Sequence, residues 1–208
     1  MEHATLRVAP NSTYKIYDAL FGLEEGVITP ENSFIAWNGE TYPFEAWNAD
    51  QTLQSAMNSS VNWYFQAVDE QLGASDVYSY VQEIGYGNEN MSGDFSSYWM
   101  ESSLEISPIE QVELLTKLQN NSFGFAPENI NAVKDAIRLS SSDAGTLYGK
   151  TGTGRVDGKD VNGWFIGYIE TADNTYFFAT NIGADSDATG CNATEITMSI
   201  LSDMNIWK

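Results

Sequence analysis

The sequence predicts an α+β fold, in which an antiparallel sheet is flanked by helices and a helical lobe lies beside it. Two observations predict this class. Apolar residues recur at the helical period in most segments between about residues 13 and 140, and from about residue 146 the chain becomes β-branched and aromatic, with frequent turn residues. We expect one domain over residues 1–208, with the helical region at about 13–140 and the sheet with a final helix at about 146–208.

Helices are expected where an apolar stripe follows a start signal. Ser12 is expected to cap the first, which runs from about Thr13 to Glu25. The clearest start is Ser107-Pro108-Ile109-Glu110, which joins a capping serine, a proline at the first helical position and a glutamate at the third. Residues 85–105 carry glycines and aromatic residues, so we expect a long ordered loop of functional importance there. The other helices of this region are expected at about residues 53–57 and 62–72, from residue 75, and from residue 126.

Three consecutive antiparallel strands are expected at residues 146–153, 163–171 and 175–182. The turn pairs Asp157-Gly158 and Asp173-Asn174 separate them, and such pairs favour hairpins. An apolar stripe at residues 195–204 predicts a last helix, which we expect to pack on the sheet.

Charge excludes several kinds of partner. The 208 residues include 29 acidic and 9 basic side chains, so the net charge is −20. Such a surface repels the phosphate backbone and anionic lipid, so we expect no nucleic-acid partner and no direct membrane contact. No stretch approaches the roughly 18 consecutive apolar residues of a membrane span.

Histidine and cysteine are almost absent, which limits the possible chemistry. Cys191 is the only cysteine and is expected to be a buried thiol, so neither a disulfide framework nor a cysteine-rich zinc site is predicted. His3 is the only histidine and lies near the N-terminus, which excludes a histidine-based serine or cysteine mechanism. No metal and no cofactor are expected.

The first motif that could carry chemistry is Ser12-Thr13-Tyr14-Lys15. Its spacing puts the serine and the lysine on one helical face, one turn apart. A serine hydroxyl needs a neighbouring base to become a nucleophile, and a lysine kept neutral can be that base. Alone the motif is weak, because a helix cap followed by a surface lysine has the same form.

Two further motifs occur later in the chain. Ser60-Val61-Asn62 can present a serine and an amide from one helix start, although a capping pair looks the same. Lys150-Thr151-Gly152 lies on the first predicted strand, where it can attract a carboxylate, hydrogen-bond it and let it approach the backbone. A strand end entering a glycine turn would also fit. The ordered set S-x-x-K, S-x-N and K-T-G is nevertheless typical of penicillin-recognising serine acyl transferases.

The chain resembles, over nearly its whole length, the superfamily of the class D β-lactamases and the extracellular sensor domains of the BlaR1/MecR1 β-lactam receptors. Besides the three motifs, the similarity includes the aromatic loop Tyr98-Trp99-Met100-Glu101. The matching segments are residues 10–17, 42–48, 60–65, 86–88, 98–101 and 162–167.

This resemblance implies an acylation site for β-lactam antibiotics. Ser12 would be the nucleophile that opens the lactam ring, and Lys15 its general base, which in this family can be N-carboxylated by CO2. Trp99 matches the loop tryptophan that steadies this carbamate, although a core aromatic residue would also fit. Ser60 would relay a proton toward the lactam nitrogen.

The same resemblance implies how the drug is held. Lys150 and Thr151 would bind its carboxylate beside Gly152, and the backbone N–H groups of Ser12 and Thr153 would form the oxyanion hole. Tyr86 and Trp164 match positions near the family's site, and packing explains them equally well.

Sensors and hydrolases of this superfamily form the same acyl-serine and differ in whether water then removes it. Asn62 stands where class D enzymes typically have a valine that protects the carbamate, and a carboxamide there can hydrogen-bond the bare amine of Lys15. Residues 181–195 contain no arginine, whereas many class D enzymes carry one there. These departures favour an extracellular or cell-surface bacterial sensor domain, secreted or tethered to a membrane domain.

Three alternatives remain. Class D enzymes of Gram-positive bacteria are sensor-like in sequence, so a class D β-lactamase that hydrolyses the drug is nearly as well supported. A D-Ala-D-Ala peptidase and a non-catalytic domain are the other two. In this family, strands before the S-x-x-K helix normally begin the sheet, yet eleven residues precede Ser12, so we expect those N-terminal strands to be missing.

Overall fold

The computed structural model describes residues 2–207, and these form helices around one antiparallel sheet. The predicted α+β class is confirmed. The α-helices are α1 Lys15–Glu24, α2 Leu53–Ser59, α3 Asn62–Leu72, α4 Ala74–Ile84, α5 Pro108–Gln119, α6 Pro127–Ala136 and α7 Gly190–Asp203. The strands are β1 Arg138–Ser142, β2 Gly145–Val156, β3 Lys159–Glu170 and β4 Thr175–Gly183, and short 3-10 helices occur at Glu2–Thr5, Asn11–Thr13 and Glu45–Trp47.

The sheet is a meander with the order β1-β2-β3-β4, and every neighbouring pair is antiparallel. The three predicted strands are confirmed as β2, β3 and β4. The sequence did not predict β1, whose five residues are polar apart from Leu139 and are all exposed. Without a buried face, this strand has no alternation of apolar residues, and it forms because the chain turns back to pair Ser141 with Thr146.

Several helix starts differ from expectation. Ser12 does not cap α1: it lies inside the 3-10 helix Asn11–Thr13, and α1 begins at Lys15 without a side-chain cap. The start of α5 is confirmed, since Ser107 and Glu110 form the reciprocal capping box. The last helix, α7, begins at Gly190, earlier than residue 195, because Thr189 accepts a hydrogen bond from Asn192 N and caps it.

Residues before Ser12 add no strand to the sheet within the described part of the chain. They form the 3-10 helix Glu2–Thr5 and one isolated bridge, between Val8 and Ile106. Whether strands precede these residues in the full protein stays a prediction. No helix within residues 2–207 is long and apolar enough to cross a membrane.

Helix α1 lies in the middle of the main hydrophobic core. Nine of its ten residues are buried, from Lys15 to Leu23. The core joins this helix to the helical region and to the β3 residues Trp164, Ile166 and Tyr168. A smaller cluster around Leu201 covers the other face of the sheet. A helix buried on every side normally carries apolar residues only, so its two buried charged side chains, Lys15 and Asp18, need an explanation.

Candidate active site

The short 3-10 turn before α1 places Ser12 directly above Lys15. Ser12 is partly exposed, whereas Lys15 has no exposed surface. The Lys15 Nζ to Ser12 Oγ distance is 2.9 Å, so the two groups share a hydrogen bond. The predicted serine–lysine pair is therefore in contact, with the hydroxyl facing solvent and the amine behind it.

Lys15 reaches into a pocket of aromatic residues. Its Nζ donates to Asn62 Oδ1 at 2.7 Å and lies 4.1 Å from the centre of the Trp99 ring. Burial lowers the pKa of Lys15 well below its ordinary value, and the positive charge of Lys150 lowers it further, against the opposite effect of Asp18. An amine with a lowered pKa can take the proton of the serine hydroxyl, as a general base must.

The second motif lies where two helices meet. Ser60 ends α2 in the left-handed conformation, with φ 52° and ψ 42°, and Asn62 begins α3. Left-handed backbone is strained for serine, and such strain clusters at functional sites. The Ser60 hydroxyl accepts a hydrogen bond from Lys150 Nζ, which links this motif to the sheet.

The third motif runs along β2. Lys150 is buried and also donates to its neighbour's carbonyl, Thr151 O, at 3.1 Å. Burial lowers the pKa of Lys150 to about 7, so this amine can hold or release a proton near neutrality. A Cβ atom on Gly152 would lie 3.0 Å from Pro10 O, so the missing side chain lets β2 approach the turn that carries Ser12.

These residues surround one cavity of about 790 Å³. Among the nine residues predicted for the site, Ser12, Ser60, Asn62, Trp99, Thr151, Gly152 and Thr153 line it. Lys15 and Lys150 lie just behind the cavity wall, hydrogen-bonded to Ser12 and Ser60 respectively. The structure thus brings all nine together, and their roles in a reaction stay predictions.

Trp99 has an unusual environment. Its Nε1 is buried and has no hydrogen-bond partner among residues 2–207. The neighbouring Asn62 Nδ2 donates to Met100 Sδ at 3.1 Å, so the amide bridges Lys15 and the loop that carries Trp99. Tyr86 and Trp164 are both core residues: Tyr86 packs edge-on against Tyr14, and Trp164 Nε1 donates to Ala9 O at 2.9 Å.

The expectation that Cys191 is buried was wrong. The thiol is exposed and lines the cavity, because α7 begins at Gly190 and presents its first turn there. Sequence reasoning also missed Glu101, Arg155 and Asp160, which line the same cavity. Arg155 is paired with Asp160 at 2.8 Å. Its place on β2, just beyond Lys150-Thr151-Gly152, is a signal that could have identified it.

The comparisons with known proteins agree with this geometry. The family model for the penicillin binding protein transpeptidase domain matches residues 2–202. The regulatory protein BlaR1 of Bacillus licheniformis is 48% identical over 206 residues, which is 99% of this chain and 34% of BlaR1. The solved C-terminal domain of the Bacillus licheniformis BlaR penicillin-receptor superposes with a TM-score of 0.96, covering 100% of this chain and 84% of that one.

A hydrolase relative is also similar. The probable β-lactamase YbxI of Bacillus subtilis is 38% identical over 200 residues, which is 96% of this chain and 73% of YbxI. The chain therefore spans about a third of the length of the regulatory relative and most of the hydrolase.

Proposed function

The chain belongs to the penicillin binding protein transpeptidase domain family, and from this premise we propose that it is the extracellular β-lactam-sensing domain of a bacterial membrane receptor, acylated by the drug at Ser12. The observation that carries this proposal is the geometry of Lys15, whose Nζ lies 2.9 Å from Ser12 Oγ and 2.7 Å from Asn62 Oδ1. The first contact supports acylation, and the second supports a long-lived product.

Acylation adds the whole drug to the serine. Ser12 Oγ bonds to the lactam carbonyl carbon, and its proton passes to the neutral amine of Lys15. The ring C–N bond then breaks, and the nitrogen takes a proton from the Ser60 hydroxyl, which Lys150 Nζ contacts and can reprotonate. Protons balance, because Lys15 gains the one that Lys150 loses.

Binding and charge stabilisation come from β2 and the turn before α1. Lys150 and Thr151 would hold the drug's carboxylate, with Gly152 leaving room for it. The backbone N–H groups of Ser12 and Thr153 would donate to the oxygen that becomes negative as the ring opens. No metal or organic cofactor is needed for these steps.

Asn62 is the reason to expect that the adduct persists. After acylation Lys15 holds the proton of Ser12 and donates to Asn62 Oδ1, as it does in the free protein. A protonated amine cannot take a proton from water, so the ester has no base for its hydrolysis. A receptor needs such a persistent adduct to report the drug.

One observation favours hydrolysis as the second candidate function. The buried Trp99 Nε1 has no acceptor within the described chain, and its ring lies 4.1 Å from Lys15 Nζ. A carbamate formed by CO2 on Lys15 would supply an anionic acceptor next to it and a base for water. The chain would then act as a class D β-lactamase.

Intact-mass spectrometry after benzylpenicillin treatment distinguishes these functions. A sensor should gain the mass of one complete drug molecule and keep it for hours, while the free drug stays intact. A hydrolase should lose the adduct within seconds and consume the drug. The Ser12→Ala variant is the control and should gain no mass. A wild-type protein that stays unmodified while the drug stays intact would overturn both proposals.

A further inference from the structure

Glu101 lies at the centre of the hydrogen bonds that hold the nucleophile's turn to the sheet. Its Oε1 accepts from Asn11 Nδ2 at 2.8 Å and from Asn162 Nδ2 at 2.7 Å. Asn11 directly precedes Ser12, and Asn162 lies on β3. We infer that Glu101 is a positioning residue, which fixes Ser12 relative to β2 and so sets the geometry of the oxyanion hole; this inference rests on the proposed acylation of Ser12.

Asn11 needs such support because of its backbone. It is buried and adopts φ 51°, a left-handed conformation that asparagine adopts as a single residue where local hydrogen bonds hold it. Its N–H donates to Trp99 O at 2.9 Å, and its side chain also reaches Ala9 O at 3.2 Å. Glu101 adds the shortest of these three bonds.

Asn162 fixes the other end of the arrangement. Its Nδ2 donates to Glu101 Oε1 and also to Ala9 O at 2.9 Å, and its Oδ1 accepts from Asn181 Nδ2 at 2.8 Å. Asn162 is thereby tied to β4 as well as to the segment before Ser12. Glu101 therefore links strand β3 to the turn that carries Ser12 through hydrogen bonds.

Gly154 shows how closely β2 packs on this carboxyl group. A Cβ atom there would lie 1.8 Å from Glu101 Oε1 and 2.7 Å from Asn11 Nδ2. Since no real Cβ approaches so closely, only glycine permits Glu101 to sit between β2 and the turn. Thr153, the residue before Gly154, would supply one oxyanion donor, and Ser12, the residue after Asn11, the other.

The consequence is kinetic. Two N–H donors on different elements stabilise a developing oxyanion only while their spacing is held, and a displacement of about 1 Å can cost roughly 100-fold in rate. The hydrogen bonds of the Glu101 carboxyl group within residues 2–207 go to Asn11 and Asn162, and none goes to Ser12 or Lys15. Its loss should therefore slow the acylation step at saturating drug, with little change in the concentration that gives half the maximal rate.

The first test compares two substitutions. Glu101→Ala removes the shared acceptor and should slow saturated acylation by benzylpenicillin roughly 100-fold. Glu101→Gln keeps an oxygen in place for both amides and should stay within a few-fold of wild type. The matched control is Glu83→Ala on the exposed side of α4, which should acylate normally. Equal losses in the Ala and Gln variants, or none in either, would contradict the inference.

A second test keeps Glu101 and moves it. Gly154→Ala should displace the carboxyl group and slow acylation at least as much as Glu101→Ala. In the Glu101→Ala protein the added Cβ atom would still lie 2.7 Å from Asn11 Nδ2, so Gly154→Ala should slow acylation there by a smaller factor than it does in the wild type. Independent, multiplicative losses would overturn the shared mechanism.

Amide hydrogen exchange gives a readout that needs no drug. In Glu101→Ala, exchange should accelerate at Asn11 and Thr13, whose N–H groups bond Trp99 O and Pro10 O, while α3 stays protected. Unchanged exchange in the turn would contradict the positioning role, even if no form of the protein is acylated, and failure of wild-type acylation would overturn only the proposed function.

Discussion

Asn62 and Ser12 both hydrogen-bond the Nζ atom of Lys15. The chemistry of the site depends on whether this amine takes a proton from Ser12 or stays protonated beside Asn62. The Asn62 amide is itself fixed, since its Nδ2 donates to Met100 Sδ. A carboxamide oxygen at 2.7 Å stabilises the protonated amine through a charge-assisted hydrogen bond. The same oxygen would repel a carbamate, which is an anion rich in acceptors.

Replacing Asn62 by valine should therefore shorten the life of the acyl adduct. Asn62→Val removes the acceptor and surrounds Lys15 with apolar atoms. The protonated amine is then less stable relative to the neutral amine, which is the form that CO2 converts to a carbamate. We expect deacylation to accelerate at least tenfold in bicarbonate buffer. The measurement is the decay of the acyl mass with and without bicarbonate, with Asn58→Val on the exposed side of α2 as control. An adduct equally stable in both proteins would exclude Asn62 as the cause of persistence.

For single residues, the sequence predicts the members of the three motifs but not the residues that hold them in place. Ser12, Lys15, Ser60 and Lys150 are recognisable because order and spacing along the chain identify them. Glu101 acts through contacts with residues 90 and 61 positions away, and no local pattern encodes those separations. Cys191 was misplaced for a similar reason, because the early start of α7 brings it to the cavity.

Two helices meet at a pair of buried acids. Asp18 on α1 and Asp69 on α3 are both buried, and the negative charge of Asp69 disfavours ionisation of Asp18. Tyr98 Oη donates to Asp69 Oδ2 at 3.0 Å, while both Asp18 oxygens and Asp69 Oδ1 have no hydrogen-bond partner within residues 2–207. Burial raises the pKa of Asp69 to about 7 and that of Asp18 well above its ordinary value.

This packing predicts a pH-dependent stability. A carboxyl whose pKa rises from 3.8 to about 7 on folding contributes fully below pH 3.8, and the contribution is lost as the pH rises through 7. Asp69→Asn should keep an acceptor for Tyr98 and donate to Asp18, so it should be more stable than wild type above pH 7, by roughly 1–3 kcal/mol. Thermal unfolding of both proteins between pH 4 and pH 8 measures this difference. An equal increase in stability at pH 4 and at pH 8 would contradict the prediction.

The elements themselves vary in how far local sequence determines them. The α5 start is encoded in four consecutive residues, because a capping box satisfies its own donors. Strand β1 carries no such signal, since Arg138–Ser142 is exposed along its whole length and depends on β2 for its hydrogen bonds. Ser12 fails as a cap because the 3-10 turn replaces the first turn of α1 and leaves the hydroxyl for Lys15.

One core links the two regions of the molecule. The main cluster contains α1 residues such as Leu20 together with Trp164 and Tyr168 of β3, so the helical region and the sheet bury the same apolar surface. We propose on this ground that residues 1–208 are a single domain that unfolds in one transition. The cavity lies at the junction, between the turn before α1, the start of α3 and strand β2.

The charge of the whole molecule also affects this cavity, because the proposed ligand is an anion. Near neutral pH a chain of net charge −20 repels a penicillin carboxylate at long range, while Lys150 and the cavity's Arg155 attract it locally. Long-range repulsion between exposed charges is screened by salt, with a Debye length falling from about 30 Å at 10 mM to about 8 Å at 150 mM. The attraction between Lys150 and the drug's carboxylate acts over a short distance at a buried amine, so salt screens it much less.

Acylation by an anionic penicillin should therefore become faster as salt is added. We expect its second-order rate constant to rise roughly threefold to tenfold between 10 and 150 mM NaCl. The methyl ester of the same drug carries no charge and should show almost no salt dependence, which separates electrostatics from any change in the protein. A rate for the acid that falls with salt would mean that Lys150 and Arg155 dominate the field at the cavity mouth. In that case the net negative charge of the molecule would not control the rate of association, and Lys150 and Arg155 would attract the drug from solution.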